Sequence, residues 1–390
     1  KEFSGEWEEK KLNDVGLITT GSTPSTSISE YYWGERLFVS PVDIHGNRYI
    51  NKTKTTLTEL GFSKGRKVVK DSVCFVCIGS TIGKVAQLTE DSLTNQQINC
   101  ITANNKNFND FVYSLLELKA SKIKLLAGEQ ALPQINKSDF SKLKFYLPSL
   151  QEQEKIASFL ISIDTRIEQL TKKEQLLQQY KKSVMQKIFN QEIRFKDDDG
   201  SEFCDWEEYT LNDFLIPALR EVEKPKENYL AIGVRSHCKG TFQKPDSEPD
   251  KIAMDRLYVV KENDLIVNIT FAWESAIAIV KKEDEGGLVS HRFPTYTFDE
   301  KISNSKYFQY VIIQKRFRIM LDLISPGGAG RNRVMSKKDF LTLKWEFPCI
   351  EEQNKIANFL SLIDTKIEHV QKQLESSKDF KKALLQQMLV

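Results

Sequence analysis

Leu147-Pro-Ser-Leu-Gln-Glu-Gln-Glu-Lys-Ile-Ala-Ser-Phe-Leu-Ile-Ser-Ile-Asp164 and Phe347-Pro-Cys-Ile-Glu-Glu-Gln-Asn-Lys-Ile-Ala-Asn-Phe-Leu-Ser-Leu-Ile-Asp364 are one phrase written twice. From Asp139 to Leu170, 17 of 32 positions match the residue 200 places further on. Working back from the phrase, Asp139-Phe140 and Leu143-Lys144 recur as Asp339-Phe340 and Leu343-Lys344. Each half also opens alike. Glu6-Trp7-Glu8-Glu9 and Leu12-Asn13-Asp14 return as Asp205-Trp206-Glu207-Glu208 and Leu211-Asn212-Asp213. A period near 200 is far too long for a solenoid or propeller, so the 390-residue chain holds two copies of a whole module. Residues 16–130 and 215–330 show no comparable match. The frame is repeated and the middles differ, as expected if the frame does one mechanical job and the middles read different things.

Working forward from the phrase, the pattern is helical. Ile156, Leu160, Ile163, Ile167, Leu170, Leu177, Val184 and Ile188 step by fours and threes, with Glu174 and Lys181 in two of the expected slots. Ile356, Leu360, Ile363, Ile367, Val370, Leu374, Leu384 and Met388 keep the same register. A sustained 3.5-residue period with charges between is a coiled-coil seam, and Pro148 and Pro348 punctuate each start. Each helix should run for roughly 40 residues, or about 60 Å at 1.5 Å per residue. It needs a partner for its apolar stripe. The first helix leads from one globular segment to the next. If the second pairs with it, the pair is antiparallel, and the molecule is a pseudo-twofold dumbbell. The alternative is that each helix packs on its own globular segment.

The globular segments read as α+β. Strand-like runs fall at Leu37–Val39, Val73–Ile78 and Ile98–Ile101 in the first. In the second they fall at Tyr229–Val234, Asp264–Ile269, Ala276–Val280 and Phe293–Phe298. Helical pattern appears near Asp110–Ala127 and Ser305–Ile324. Between these runs lie stretches suited to nucleic acid, because Arg, Lys, Asn and Gln fork onto base edges while Ser and Thr grip phosphates. In the first segment they offer Ser22, Thr23, Tyr32, Arg36, His45, Arg48, Ser80, Lys84 and Gln96. In the second they offer Arg235, His237, Asn268, Trp273, His291, Arg292, Arg331, Asn332 and Arg333. An ordinary surface loop is the alternative for each. The formal charge is only +2, yet Arg36–Lys70 holds eight Lys/Arg against two Asp/Glu and Lys315–Lys338 seven against one.

Composition narrows the rest. A hydrophobic fraction of 40% supports ordinary cores and argues against wholesale disorder. No apolar run approaches the roughly 18 residues of a membrane span. Lys1–Lys11 is charged and lacks the apolar core of a secretion signal. Six cysteines are too sparse for a disulfide scaffold, which points to a reducing cytoplasm. Gly79-Ser-Thr-Ile-Gly83-Lys84 is one residue short of a phosphate-binding loop and lacks its final Ser/Thr. Cys74 and Cys77 lie in an apolar, strand-like run rather than a zinc knuckle, and the four histidines lack metal spacing. No nucleophile elbow, dinucleotide fingerprint or methyltransferase tetrapeptide is present. The chain reads as one that binds rather than catalyses, with no metal and no cofactor of its own.

The repeated phrase, the Trp-Glu-Glu opening of each half, and Thr20-Gly21-Ser22-Thr23-Pro24 with Ser40-Pro41-Val42-Asp43-Ile44 resemble the specificity subunit of type I restriction–modification systems, over nearly the whole chain. The resemblance implies target-recognition domain 1 over 1–147 and a central conserved helix over 148–192. It implies target-recognition domain 2 over 193–347 and a C-terminal conserved helix over 348–390. Each recognition domain would read one half of a split, asymmetric target in double-stranded DNA. The antiparallel coiled-coil helices would set the spacer, and the seam Ile156, Leu160, Ile163, Ile167, Ile356, Leu360, Ile363 and Ile367 would serve pairing and partner docking. Two methyltransferase subunits would carry S-adenosylmethionine, and restriction subunits would bring ATP and magnesium. This chain would be non-catalytic, cytoplasmic and nucleoid-associated, with no membrane partner. The second segment lacks the Gly-Ser-Thr-Pro phrase, which implies another recognition subtype. Ile193-Arg194-Phe195-Lys196 has no full counterpart before Trp7, an asymmetry that predicts native residues ahead of Lys1. Rival readings are an enzyme acting alone and a structural adaptor joining two proteins without reading DNA.

Overall fold

The computed structural model describes residues 5–128, 133–327 and 333–389. The chain divides into two compact units. One holds the residues up to Leu177 together with those from Ile367 onward; the other runs from Gln178 to Lys366. Each is α+β, and each takes part of two long helices, Leu150–Phe189 and Ile350–Met388, of 40 and 39 residues.

In the first unit, Gly16–Thr20, Ile98–Ala103, Val73–Val76 and Val85–Leu88 form an antiparallel series in that spatial order, with Tyr49–Ile50 added parallel at one edge. Val73–Val76 is buried on both faces, which explains its unbroken apolar run and puts Cys74 in the core. One face carries Phe75 and Ile101 into a core shared with Phe111, Leu115 and Leu116 of the helix Asn109–Leu125. A second sheet pairs Thr55–Leu57, Tyr32–Val39 and Leu93–Thr94.

The second unit repeats more of this than the sequence reveals. Leu215–Pro217, Thr295–Phe298, Leu265–Val267 and Ile277–Ile279 lie in the same antiparallel order. The middles that align poorly by sequence therefore share a four-strand sheet. They differ in the second sheet, which here has five strands, led by the hairpin Tyr229–Val234 and Thr241–Ser247. The helical stretch near Ser305–Ile324 is two helices, Ser305–Val311 and Lys315–Leu323. The β-branched run Val311-Ile312-Ile313 is weak helix former. Gln314 then turns extended, and its side-chain Nε2 donates to the Tyr310 carbonyl at 2.9 Å.

The repeated residues make repeated bonds. Glu8–Lys11 pairs antiparallel with Lys144–Leu147, and Glu207–Thr210 with Lys344–Phe347. Lys144 reaches Glu9 and Lys344 reaches Glu208, each at 2.7 Å. Gln153 and Gln353, both buried, clamp each head to the start of a long helix. Gln153 Nε2 donates to the Pro148 carbonyl and Asn107 Oδ1, and its Oε1 accepts from the Phe108 amide. Gln353 Nε2 donates to the Pro348 and Ile302 carbonyls, and its Oε1 accepts from the Ser303 hydroxyl. Gln153→Leu removes the partner of the Phe108 amide, the Pro148 carbonyl and Asn107 Oδ1, so chemical denaturation should show a loss of about 1–3 kcal/mol.

Candidate nucleic-acid interface

In the first head, three of the polar stretches come together. The glycine at Gly21 is required, because a Cβ there would lie 2.0 Å from the Asn95 carbonyl. That close approach carries the loop beyond it past Asn95–Gln97. Thr23 Oγ1 donates to Gln96 Oε1 at 2.6 Å. Ser22 Oγ accepts from the Arg66 amide at 2.6 Å, and Arg66 Nη2 donates to the Gly21 carbonyl at 2.8 Å. Tyr32 Oη donates to the Pro24 carbonyl at 2.6 Å. Ser22, Thr23, Tyr32 and Gln96 thus share one surface with Lys64–Lys67, part of the basic run Arg36–Lys70 read from the sequence, although none of Lys64, Arg66 and Lys67 is named there as a candidate.

The other first-head residues sit elsewhere. Ser80 and His45 are exposed. Lys84 Nζ donates to the Pro41 carbonyl at 3.2 Å. Arg36 Nε meets Glu59 at 2.7 Å and lies over the Phe62 ring; the bond to that carboxylate holds the guanidinium above its ordinary pKa. Arg48 is buried. Its guanidinium donates to Gln87 at 3.1 Å, to Asp164 at 3.0 Å and to Asp110, and it lies between the rings of Tyr49 and Tyr113. The loop that looks like a free cation by sequence spends that cation on the chain's own carboxylates, bridging head, helix Asn109–Leu125 and long helix.

The second head presents a cleft of about 760 Å³. Arg235, His237 and Asn268 line it, beside Lys239, Lys244 and Phe271. The turn bearing His237 is held open by two consecutive residues in the left-handed region, His237 at φ 63° and Cys238 at φ 54°. Their amides donate to the carbonyls of Glu274 and Ser275 at 2.7 and 2.8 Å. Asn268 Oδ1 accepts from the Thr270 amide, which aligns its side-chain amide nitrogen as a donor. The guanidinium of Arg235 and the ammonium of Lys244 both lie over Phe242, at 5.0 and 5.4 Å. The cleft combines cations, an amide and aromatic rings, a set that suits phosphates and base edges. Ser290 lines it too, and His291 and Arg292 follow, exposed. The Arg333 guanidinium lies over the Trp273 ring, 5.2 Å from its centre, and Arg333 is tied to Asp322 at 2.8 Å and to the Ser325 carbonyl at 2.9 Å. Arg331 and Asn332 fall outside the described residues.

The long helices pair antiparallel within each unit. In the first, Leu170 packs with Val370 and Leu374, Glu174 accepts from Gln371, and Asp164 meets Lys381 at 2.7 Å. In the second, Lys181 meets Asp364, which also accepts from Tyr310 Oη at 2.9 Å. Burial, and then the Asp364 charge, holds that phenol well above its ordinary pKa. The two ion pairs are the same pair seen from either helix, since Asp164 and Asp364, like Lys181 and Lys381, are 200 residues apart. Sequence reasoning marked Lys181 as a break in the seam; it is the seam's polar lock. Ile156, Leu160, Ile163, Ile356, Leu360, Ile363 and Ile367 are buried and Ile167 is partly so. The apolar side chains turned outward on the helices are Phe159, Leu176 and Phe380 in the first unit and Tyr180 and Leu362 in the second.

The family described as Type I restriction modification DNA specificity domain matches residues 4–178 and again 204–376. The chain belongs to this family. The two matches carry one copy each of the repeated frame. Among relatives of this specificity family, the chain is 34% identical over 148 residues to the type I restriction enzyme HindI specificity subunit of Haemophilus influenzae. That match covers 37% of this chain and 32% of the relative, so it spans about a third of the HindI subunit. The putative type I restriction enzyme MjaX specificity subunit of Methanocaldococcus jannaschii is 26% identical, with 100% of this chain and 94% of the relative covered. The fold is shared with the S subunit of a type I restriction–modification system from M. genitalium, at a TM-score of 0.61, 15% identity, and coverage of 100% and 98%. Among the described residues no helix is long and apolar enough to cross a membrane.

Proposed function

We propose that this chain is the DNA-reading subunit of a type I restriction–modification complex, and that each head reads one half of a split, asymmetric target. One observation carries the reading. The frame repeats down to individual side-chain pairs, Asp164 with Lys381 and Asp364 with Lys181, while the sheet that carries the cationic loops has three strands in one head and five in the other. A duplicated frame with unlike readers suits two different half-sites. Lys64, Arg66, Thr23 and Gln96 serve the first half-site, and Arg235, His237, Lys239 and Asn268 the second. The antiparallel helices set the spacer, near one helical turn of 34–36 Å or a multiple of it.

Two methyltransferase subunits carrying S-adenosylmethionine dock on the outward faces of the helices, where Phe159, Leu176 and Phe380 offer apolar area. Restriction subunits using ATP and magnesium join them. The chain itself performs no chemistry, and the complex works in the cytoplasm on the chromosome. The adaptor reading is not favoured, because the family to which both halves belong is one of DNA specificity domains.

The test is the adenine-methylation pattern of the source genome with and without this gene. A bipartite asymmetric motif should vanish on deletion. Removing one heptad from both helices should then change the spacer and leave the half-site sequences alone. Altered half-sites with an unchanged spacer would refute the ruler.

A further inference from the structure

Trp33 is the most exposed tryptophan side chain described, at 75%, and its backbone sits at φ 68°. That is the left-handed region, where a bulky residue is an outlier. Such strain persists only where the surroundings impose it. The surroundings here are visible. The strand Tyr32–Val39 shifts register between Tyr32 and Arg36 against Thr55–Leu57, so a bulge falls on Trp33 to Glu35. Gly34 lets the bulge press against its partner, since a Cβ there would lie 2.6 Å from the Leu57 carbonyl. On one side the bulge is pinned by Tyr32 Oη on the Pro24 carbonyl, and on the other by Thr58 Oγ1 on the Glu30 carbonyl at 2.7 Å. A bulge of this kind re-aims one side chain, and the side chain it throws outward is the indole.

We infer that Trp33 is an aromatic wedge that inserts against a base step in the first half-site. This rests on the reading of the first head as a DNA reader. Three features favour DNA over a protein partner as the occupant. Tyr32, the residue before the indole, bonds the Pro24 carbonyl next to the Thr23–Gln96 pair. The helix Glu59–Phe62 packs Gly61 against Tyr31, two residues before the indole, the chain leaves that helix through Lys64, Arg66 and Lys67, and Arg36, which closes the bulge, bonds Glu59 of the same helix. Exposed Glu35, two residues on, is an acceptor of the kind that takes a cytosine amino group. Apolar side chains wedged between base steps bend and unstack duplex DNA, while cations around them hold the phosphates. Tyr32, the aromatic singled out by sequence, is the brace; its neighbour is the tool.

The test uses the full chain assembled with its methyltransferase subunits and duplexes carrying the genomic motif, with 2-aminopurine placed at successive steps of the first half-site. Trp33→Ala should weaken specific binding about tenfold or more and abolish a change in 2-aminopurine emission that wild type produces at one step. Trp33→Gly should lose binding equally while its thermal midpoint stays level or rises, because glycine accepts the left-handed backbone without strain. Wild-type affinity and emission in both variants would overturn the wedge and leave the first head as a reader. So would a lowered midpoint in Trp33→Gly, or a loss of methyltransferase assembly with DNA binding intact once assembled. Wild type that binds the motif no better than scrambled DNA would overturn the reading itself, and the wedge with it.

Discussion

Replacing Arg48 by Met lowers the stability of the first unit by about 3–5 kcal/mol, the cost of leaving buried charges without a partner. Only 4% of the Arg48 side chain is exposed, against 17% of Asp110 and 11% of Asp164, so water cannot replace the guanidinium. For a unit of this size the thermal midpoint should fall by roughly 10 °C. Asp164 keeps Lys381, which leaves Asp110 as the group most exposed to the loss. Arg48→Met with Asp110→Asn should therefore be less damaging than the single substitution, and the two effects should be clearly non-additive. Additive losses by differential scanning calorimetry would mean that the network is not a network. DNA affinity per folded molecule should hold, because the guanidinium faces inward.

Arg48 also marks the limit of what the sequence discloses. Ser40–Arg48 is polar and short of apolar residues, so it reads as a surface loop. Its cation is internal because Asp110 and Asp164, 62 and 116 residues away, need one, and nothing local announces that. The long helices were legible for the opposite reason. Their signal is periodic and written twice, and antiparallel pairing follows from connectivity. Gln153 and Gln353 stood inside the repeated phrase, but their partners at Asn107 and Ile302 lie in segments that do not align. The shared four-strand sheet was hidden in the same way, since burial demands only apolar alternation and leaves residue identity free. At Trp33 the decisive fact is a backbone angle, which only the pairing of Tyr32–Val39 with Thr55–Leu57 creates.

The polar lock of the helix seam gives the second large effect, and its two copies act as controls for each other. Lys381 and Asp164 are each 11% exposed, whereas Lys181 and Asp364 are 20% and 34% exposed. The more buried pair is screened less and is harder to replace by water. Lys381→Met leaves Asp164 with Arg48 but also strips Glu117, which Lys381 Nζ meets at 2.6 Å. It should cost about 2–4 kcal/mol, and Lys181→Met about half of that. Reversing the second pair completely, Lys181→Asp with Asp364→Lys, should recover most of the stability that either reversal loses alone. The same exchange at Lys381 and Asp164 should recover little, because Glu117 and Arg48 remain in place and now face the wrong charges. Polar pairs set into a largely apolar seam specify register more than they add stability. The methionine variants should therefore keep their helix content and lose uniqueness of alignment, which cysteine cross-linking between Leu170 and Val370 reads directly. Cross-linking confined to the native register in both variants would show that the apolar steps alone align the helices, and that the two lysines are tolerated rather than used.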